Sequence, residues 1–169
     1  MLFGEAASEL QAMLKDQRNI NTELLAASPK IAKGENYQGL PYLMLDYPRM
    51  FNRENMFAFR TMFWWGHFIS VAWQLKGVYN EFYRHAISTN YSALSEAGFH
   101  ICICEDEWRH DFQNDNYKPL GELTPTAFQS LVEEKPFLKL AAKLTLDKWD
   151  SADLWLTDTY RLLLKIIEN

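Results

Sequence analysis

The stretch that decides the fold is residues 42–76, which read YLMLDYPRMFNRENMFAFRTMFWWGHFISVAWQLK. It forms the hydrophobic centre of the chain, and two of its apolar segments flank Gly66. Because glycine tolerates the positive φ that a tight turn needs, we predict a β-hairpin that turns at Gly66. A two-residue loop would force the bulky Trp65 into the same disfavoured region. We therefore predict a three-residue loop made of residues 64–66.

This loop sets the register of the two predicted strands, because it pairs Phe63 with His67. The pairs that follow are Thr61 with Ile69, Phe59 with Val71, and Phe57 with Trp73. Side chains alternate across a strand, so these residues give one nearly continuous apolar face, which we expect to face the core. The opposite face, which we call the mixed face, carries Met56, Ala58, Arg60, Met62, Phe68, Ser70, Ala72 and Gln74.

Composition limits the classes of function. A length of 169 residues predicts a single domain with a substantial core. A net charge of -5 gives no general attraction to nucleic acid or to anionic membranes. No apolar run approaches the length of a membrane span, and the first residues lack the basic and apolar pattern of a secretory signal. We therefore predict a cytoplasmic protein with no membrane or nucleic-acid partner.

Periodicity and capping residues predict the remaining elements. One or two helices are predicted over residues 4–27, with a weak point at Asn19-Ile20-Asn21. Further helices are predicted over residues 78–96 with Gly98 as the cap, over residues 124–134, and from residue 150 onward. Strands are predicted over residues 41–47 and 99–105, with a short edge strand at 108–112. The polar residues 33–39, with two glycines, predict a loop.

Residues 137–146 fit two structures. Their leucines alternate as in a strand, yet Ala, Leu and Lys are helix formers, and we favour a helix. The complete order predicts a single α+β domain in which a small, mostly antiparallel sheet of four to five strands packs with N- and C-terminal helices.

Arg60 and Asp46 are the first candidates for a site, because each is the only charge in an apolar run of adjacent predicted strands. Such a charge must be paired, hydrogen-bonded or functional. The small residues around Arg60 predict a hollow in the mixed face, and arginine suits carboxylate or phosphate groups. We expect a small anionic ligand to bind there, with Asp46, Arg60, Ser70 and Gln74 as its contacts. The alternative is a structural salt bridge between Arg60 and Asp46.

A second candidate is the sequence His100-x-Cys102-x-Cys104, which the acidic residues 105–107 follow. Imidazole and thiolate are zinc ligands, and carboxylates bind harder cations. Side chains two residues apart on a strand start nearly 7 Å from each other, so the two thiols converge only if the strand bends. A packed sheet face with two reduced cysteines is the other interpretation.

No nucleophile motif accompanies His67 or His85, and the sequence does not identify a cofactor, which stays unknown. The favoured hypothesis is a non-catalytic binding or interaction protein with an aromatic-lined pocket or dimer face near Arg60. We expect a homodimer, because Met62 and Phe68 make a second face of the hairpin apolar. The alternative is a metal-dependent enzyme that uses the strand from His100 to Cys104 and the acidic edge.

Overall fold

The computed structural model describes residues 2–17 and 20–168. Of the predicted weak point at Asn19-Ile20-Asn21, Asn19 lies outside the described residues, whereas Asn21 is the N-cap of a second helix that begins at Thr22. One antiparallel sheet has seven strands, in the order β1-β2-β3-β4-β7-β5-β6. The strands are β1 (Lys30–Tyr37), β2 (Leu40–Phe51), β3 (Met56–Trp64), β4 (Phe68–Lys76), β5 (His100–Cys102), β6 (Tyr117–Pro119) and β7 (Phe137–Thr145). The helices are α1 (Leu2–Lys15), α2 (Thr22–Ala26), α3 (Val78–Thr89), α4 (Tyr91–Glu96), α5 (Pro125–Glu134) and α6 (Ala152–Glu168). The α+β class and the antiparallel sheet are confirmed, but the sheet is larger than the four to five strands predicted.

The central hairpin turns at Gly66, whose φ is 74°, through a three-residue loop of Trp65, Gly66 and His67. The predicted loop was one residue too early, because Trp64 is the last residue of β3 and pairs with Phe68; its ring stacks on His67 across the turn. The register is therefore Phe63 with Ile69 and Phe59 with Trp73, two residues from the predicted pairing. An even shift leaves every side chain on its predicted face. It moves Arg60 from Ser70 to a position opposite Ala72.

The apolar face carries the core, as predicted. Phe57, Phe59 and Trp73 are fully buried on it, and the Trp73 ring forms edge-to-face contacts with Phe57, Phe59 and Tyr83 of α3. Helices α1, α3 and α6 contribute to the same core cluster. The helical layer thus lies on one side of the sheet and leaves the mixed face to be covered by something else.

Three predictions about the N-terminal half were wrong. Residues 33–39 are not a loop, because β1 occupies them and turns into β2 through Gln38 and Gly39, both at positive φ. An edge strand has one neighbour and exposes most of its side chains, so its polar sequence resembles a loop. Pro48 does not end β2, which continues to Phe51 after a register shift. The helix predicted over 78–96 breaks at Asn90 into α3 and α4, while Gly98, at φ 75°, caps it as expected.

The C-terminal half brings one confirmation and three corrections. Thr124 caps α5 and Pro125 is its first residue, as predicted. Residues 137–146 form no helix: β7 lies between β4 and β5 and is buried on both faces, which hides its polar alternation. Strand β5 stops at Cys102, shorter than the predicted 99–105. Residues 108–112 form no strand and belong to the irregular connection from β5 to β6.

Candidate functional site

Residues 103–116, which connect β5 to β6 and which we call the covering loop, lie across the mixed face of the sheet. Side chains of the central strands hold its backbone. Lys139 of β7 donates from Nζ to the carbonyl oxygens of Glu107 and Arg109, and Gln74 of β4 donates from Nε2 to the Glu107 carbonyl at 3.1 Å. Because Lys139 and Gln74 are fully buried, these bonds replace the water that irregular backbone otherwise needs.

Burial of Lys139 has an electrostatic consequence. Loss of water around the ammonium group lowers the pKa of Lys139 to about 8, and the nearby Arg60 acts in the same direction. The charged form is partly compensated by the two loop carbonyls rather than by a carboxylate. Lys139 thus links the sheet to the covering loop through a charge that is costly to bury.

A second anchor of the loop is Tyr37 at the end of β1. Its hydroxyl accepts hydrogen bonds from the backbone N–H groups of His110 and Asp111 and donates to Asp111 Oδ2 at 3.1 Å. Burial opposes ionisation of Asp111, but hydrogen bonds from Arg109, the Gln113 backbone and Tyr37 outweigh it and lower the Asp111 pKa. Burial also lowers the pKa of His110, a residue of the covering loop, well below its usual value, so its imidazole is neutral.

Arg60 lies at the margin of the covering loop. Its Nε donates to Asp46 Oδ1 at 2.8 Å, and its Nη1 lies 3.5 Å from Gln74 Oε1. The guanidinium carbon is 5.5 Å from the ring centroids of both Phe51 and Trp108, so the cation lies between two aromatic rings. Phe51 is 36% exposed and Trp108 is 50% exposed, although Arg60 and Asp46 are mostly buried.

Three of the four predicted site residues are therefore in one cluster. Ser70 is separate, since it pairs with Met62 and Lys143 in the neighbouring row of the mixed face. The predicted hollow above Ala72 is filled, because Tyr117 packs there in a small buried cluster with Ala72 and Ala141. Sequence reasoning missed Phe51 and Trp108, and the only local signal for them is that they are large aromatic residues among polar neighbours.

Charges in this cluster are joined by hydrogen bonds. Lys76 donates to the Glu107 carboxylate oxygen Oε1 at 3.1 Å. Lys139 and Gln74 both donate to the backbone carbonyl of Glu107, and Gln74 in turn accepts from Arg60. Among the described residues, Glu107 Oε2 is buried without a hydrogen-bond partner. The cations Arg60, Lys76 and Lys139 face the carboxylates Asp46 and Glu107, which leaves the cluster with an excess of positive charge.

The second candidate site is arranged differently from a metal centre. His100 lies 3.0 Å from the Gly98 carbonyl through Nδ1, whereas the sulfur atoms of Cys102 and Cys104 both donate to Asn116 Oδ1. Within residues 2–17 and 20–168, no group of three or more His, Cys, Asp and Glu side chains is placed to hold a metal ion. Of the acidic residues, Glu105 and Asp106 are exposed, and Glu107 pairs with Lys76.

The apolar residues that suggested a dimer are covered within the chain. Met62 and Phe68 are buried in a cluster with Met44 and Trp64, and the Phe112 ring of the covering loop lies 5.2 Å from that of Phe68. Because Met62 and Phe68 are buried within the chain, they give no argument for a second chain. Any dimer face must lie among the side chains that remain exposed.

Comparison with known proteins gives no assignment: no protein-family model matches the chain, and no curated protein matches it significantly. Over the part of the chain that the structure describes, none of the helices has the length and apolar composition required to cross a membrane.

Proposed function

We propose that the protein is a non-catalytic binding protein whose binding surface consists of Phe51, Arg60 and Trp108. The observation that carries the proposal is the guanidinium of Arg60 held between two partly exposed aromatic rings. Aromatic residues and arginine are the side chains that contribute most to binding free energy in protein interfaces. In this surface Arg60 is held in place by Asp46 and Gln74, which reduces the conformational entropy that this side chain loses on binding.

The ligand class follows from charge and shape. The hydrogen-bonded cluster around Arg60 has more cations than carboxylates, which favours an anionic ligand. The flanking indole of Trp108 favours a ligand with a flat apolar part. We therefore propose a small aromatic carboxylate, or a protein surface that presents a carboxylate beside an apolar side chain. The proposal places the protein in the cytoplasm, in agreement with its two free cysteines.

Calorimetric titration with a panel of aromatic carboxylates, such as benzoate, naphthoate and indole acetate, tests this function. Trp108→Ala should weaken binding by about tenfold, or about 1.4 kcal/mol. The matched control is Trp149→Ala, because Trp149 is 45% exposed and contacts Phe63 rather than the binding surface. The neutral amides of the same compounds should bind less tightly than the carboxylates. Equal affinity for carboxylate and amide, or equal losses in both variants, would contradict the proposal.

We also propose that the protein forms a homodimer through the outer side of α3. Val78 and Phe82 lie one turn apart there and are the exposed apolar pair of that helix, with Phe82 72% exposed. Light scattering should give the mass of a dimer for the parent protein and of a monomer for Phe82→Glu. Leu154→Glu is the control, since Leu154 on α6 is 60% exposed and should leave the dimer intact. A parent protein that is monomeric at micromolar concentration would contradict this part of the proposal.

A further inference from the structure

We propose that Cys102 and Cys104 form a thiol–disulfide exchange site that reacts with small disulfides such as oxidised glutathione. This inference is independent of the binding function proposed above, since the two cysteines lie where β5 joins the covering loop and not on the binding surface.

The distance between the two sulfur atoms is the first argument. Strand β5 ends at Cys102, and the chain bends at Cys104 and Glu105. The two Sγ atoms are 3.6 Å apart, about half the separation expected on a regular strand. A disulfide bond is about 2 Å long, so the sulfur atoms need to approach by roughly 1.6 Å. Bending of the chain has thus brought a pair of neighbouring thiols close to bonding distance.

The two thiols differ in access, which gives them different roles. Cys102 is fully buried, whereas Cys104 is partly exposed. Burial and the adjacent Cys104 raise the pKa of Cys102 to about 11, so Cys102 rests as a thiol. A disulfide arriving from solvent therefore meets Cys104 first. Cys104 is the attacking residue, and Cys102 is the residue that resolves the intermediate.

The reaction balances in two steps. The Cys104 thiolate attacks one sulfur of the small disulfide, so that a mixed disulfide forms on Cys104 and one thiolate leaves. Cys102 then loses its proton and attacks Cys104 Sγ, which forms the Cys102–Cys104 bond and releases the second thiolate. The protein dithiol is oxidised by two electrons, and the small disulfide is reduced to two thiols that take up the protons released by the cysteines.

Asn116 makes the oxidised form easy to reduce. In the dithiol form its Oδ1 accepts from Cys104 Sγ at 2.9 Å and from Cys102 Sγ at 3.6 Å, and Asn116 is fully buried. A disulfide has no S–H group, so oxidation removes both of these donors from a buried oxygen. Loss of buried hydrogen bonds disfavours the oxidised state. The site is therefore suited to reversible exchange rather than to a permanent structural disulfide.

The test is equilibration of the folded protein, without oxygen, in buffers of graded reduced and oxidised glutathione, followed by acid quenching, alkylation and mass spectrometry. We expect both thiols to disappear together as one intramolecular disulfide, and to return when reduced glutathione is in excess. Cys102→Ser should accumulate a glutathione adduct on Cys104, whereas Cys104→Ser should gain none.

Three results would overturn the proposal: two free thiols at every glutathione ratio, a lasting glutathione adduct in the parent protein, or a disulfide between two chains. The parent protein alone supplies these readouts, so they hold even where a serine variant folds poorly. Failure of the carboxylates to bind would refute the proposed binding surface, but it would not change the number of free thiols. The two proposals can therefore be refuted separately.

Discussion

Arg60 takes part both in an ion pair with Asp46 and in the proposed binding surface. Its ion pair with Asp46 is mostly withdrawn from water, and its guanidinium lies over two partly exposed aromatic rings, Phe51 and Trp108. A buried pair of this kind contributes little over an apolar pair, but removal of one partner leaves the other charge unpaired. The contacts of Arg60 therefore predict a cost in stability that is separate from any effect on binding.

Arg60→Met should lower the free energy of unfolding by about 3 kcal/mol, because Asp46 loses the cation that compensates its burial. Urea unfolding monitored by fluorescence measures this. The double variant Asp46→Leu with Arg60→Met removes both charges and should regain most of the loss. An unchanged unfolding midpoint for Arg60→Met would show that the pair is effectively solvated.

Lys139 predicts the pH dependence of stability. Its pKa is about 8 in the folded protein and near 10.5 in the unfolded chain, so between these values the unfolded chain binds more protons. Stability contributed by Lys139 therefore rises as pH increases from about 8, where its burial as a cation begins to be relieved. The gain should be measured between pH 8 and pH 9, because above pH 9 the raised pKa of Cys102 contributes a slope of opposite sign that offsets the gain from Lys139.

The control for this slope is Lys139→Met, which removes the titrating group. Its unfolding free energy should lack the rise that the parent protein shows between about pH 8 and pH 9. Equal slopes in the two proteins would mean that the ammonium group of Lys139 is not desolvated in the folded state.

At the scale of single elements, the sequence predicted the strands and helices that have one apolar, buried face and one polar, exposed face. It failed for strands whose two faces are alike in polarity. Strand β7 is buried on both faces, so its leucine spacing alone could not separate strand from helix. Strand β1 shows the opposite case, since its exposed edge made it as polar as a loop. The hairpin at Gly66 was recognised because its turn needs one residue at positive φ, and glycine is the residue that adopts this conformation most easily.

Gly66→Ala should destabilise the hairpin by about 1 kcal/mol, because a side chain is unfavourable at a φ of 74° even though the space around Gly66 is open. Gly66→Asn should lose less, since asparagine tolerates this conformation better than alanine. Thermal unfolding of the two variants gives the order. Equal stability of Gly66→Ala and the parent protein would show that the loop relaxes to another conformation.

At the scale of the whole molecule, the two faces of the sheet have different covers. Helices α1, α3 and α6 cover one face, and the covering loop lies over the other. Sequence patterns predicted which side chains share a face, because that depends only on alternation. They did not predict the cover of the mixed face, because its contacts join residues far apart in the chain, such as Lys139 with Glu107 and Tyr37 with Asp111.

The candidate site was also predicted only in part. Asp46, Arg60 and Gln74 were recognised as polar residues on one face of neighbouring strands, and the structure brings them together. Trp108 was assigned to a predicted edge strand over residues 108–112, whereas the structure places it in the irregular covering loop, whose sequence has no periodicity that could have located it beside Arg60. Ser70 was assigned to the site only through the register, and the two-residue shift separated it from Arg60.

The measurement that tests the central claim most directly is a nuclear magnetic resonance titration of isotope-labelled protein with naphthoate. The proposed surface predicts that the largest shifts belong to the Nε–H signal of Arg60 and the indole N–H signal of Trp108. The indole N–H of Trp149, which is similarly exposed on another part of the molecule, should remain unchanged. Largest shifts elsewhere, or no shift at Arg60 and Trp108 up to millimolar naphthoate, would contradict the assignment of this surface as the binding site.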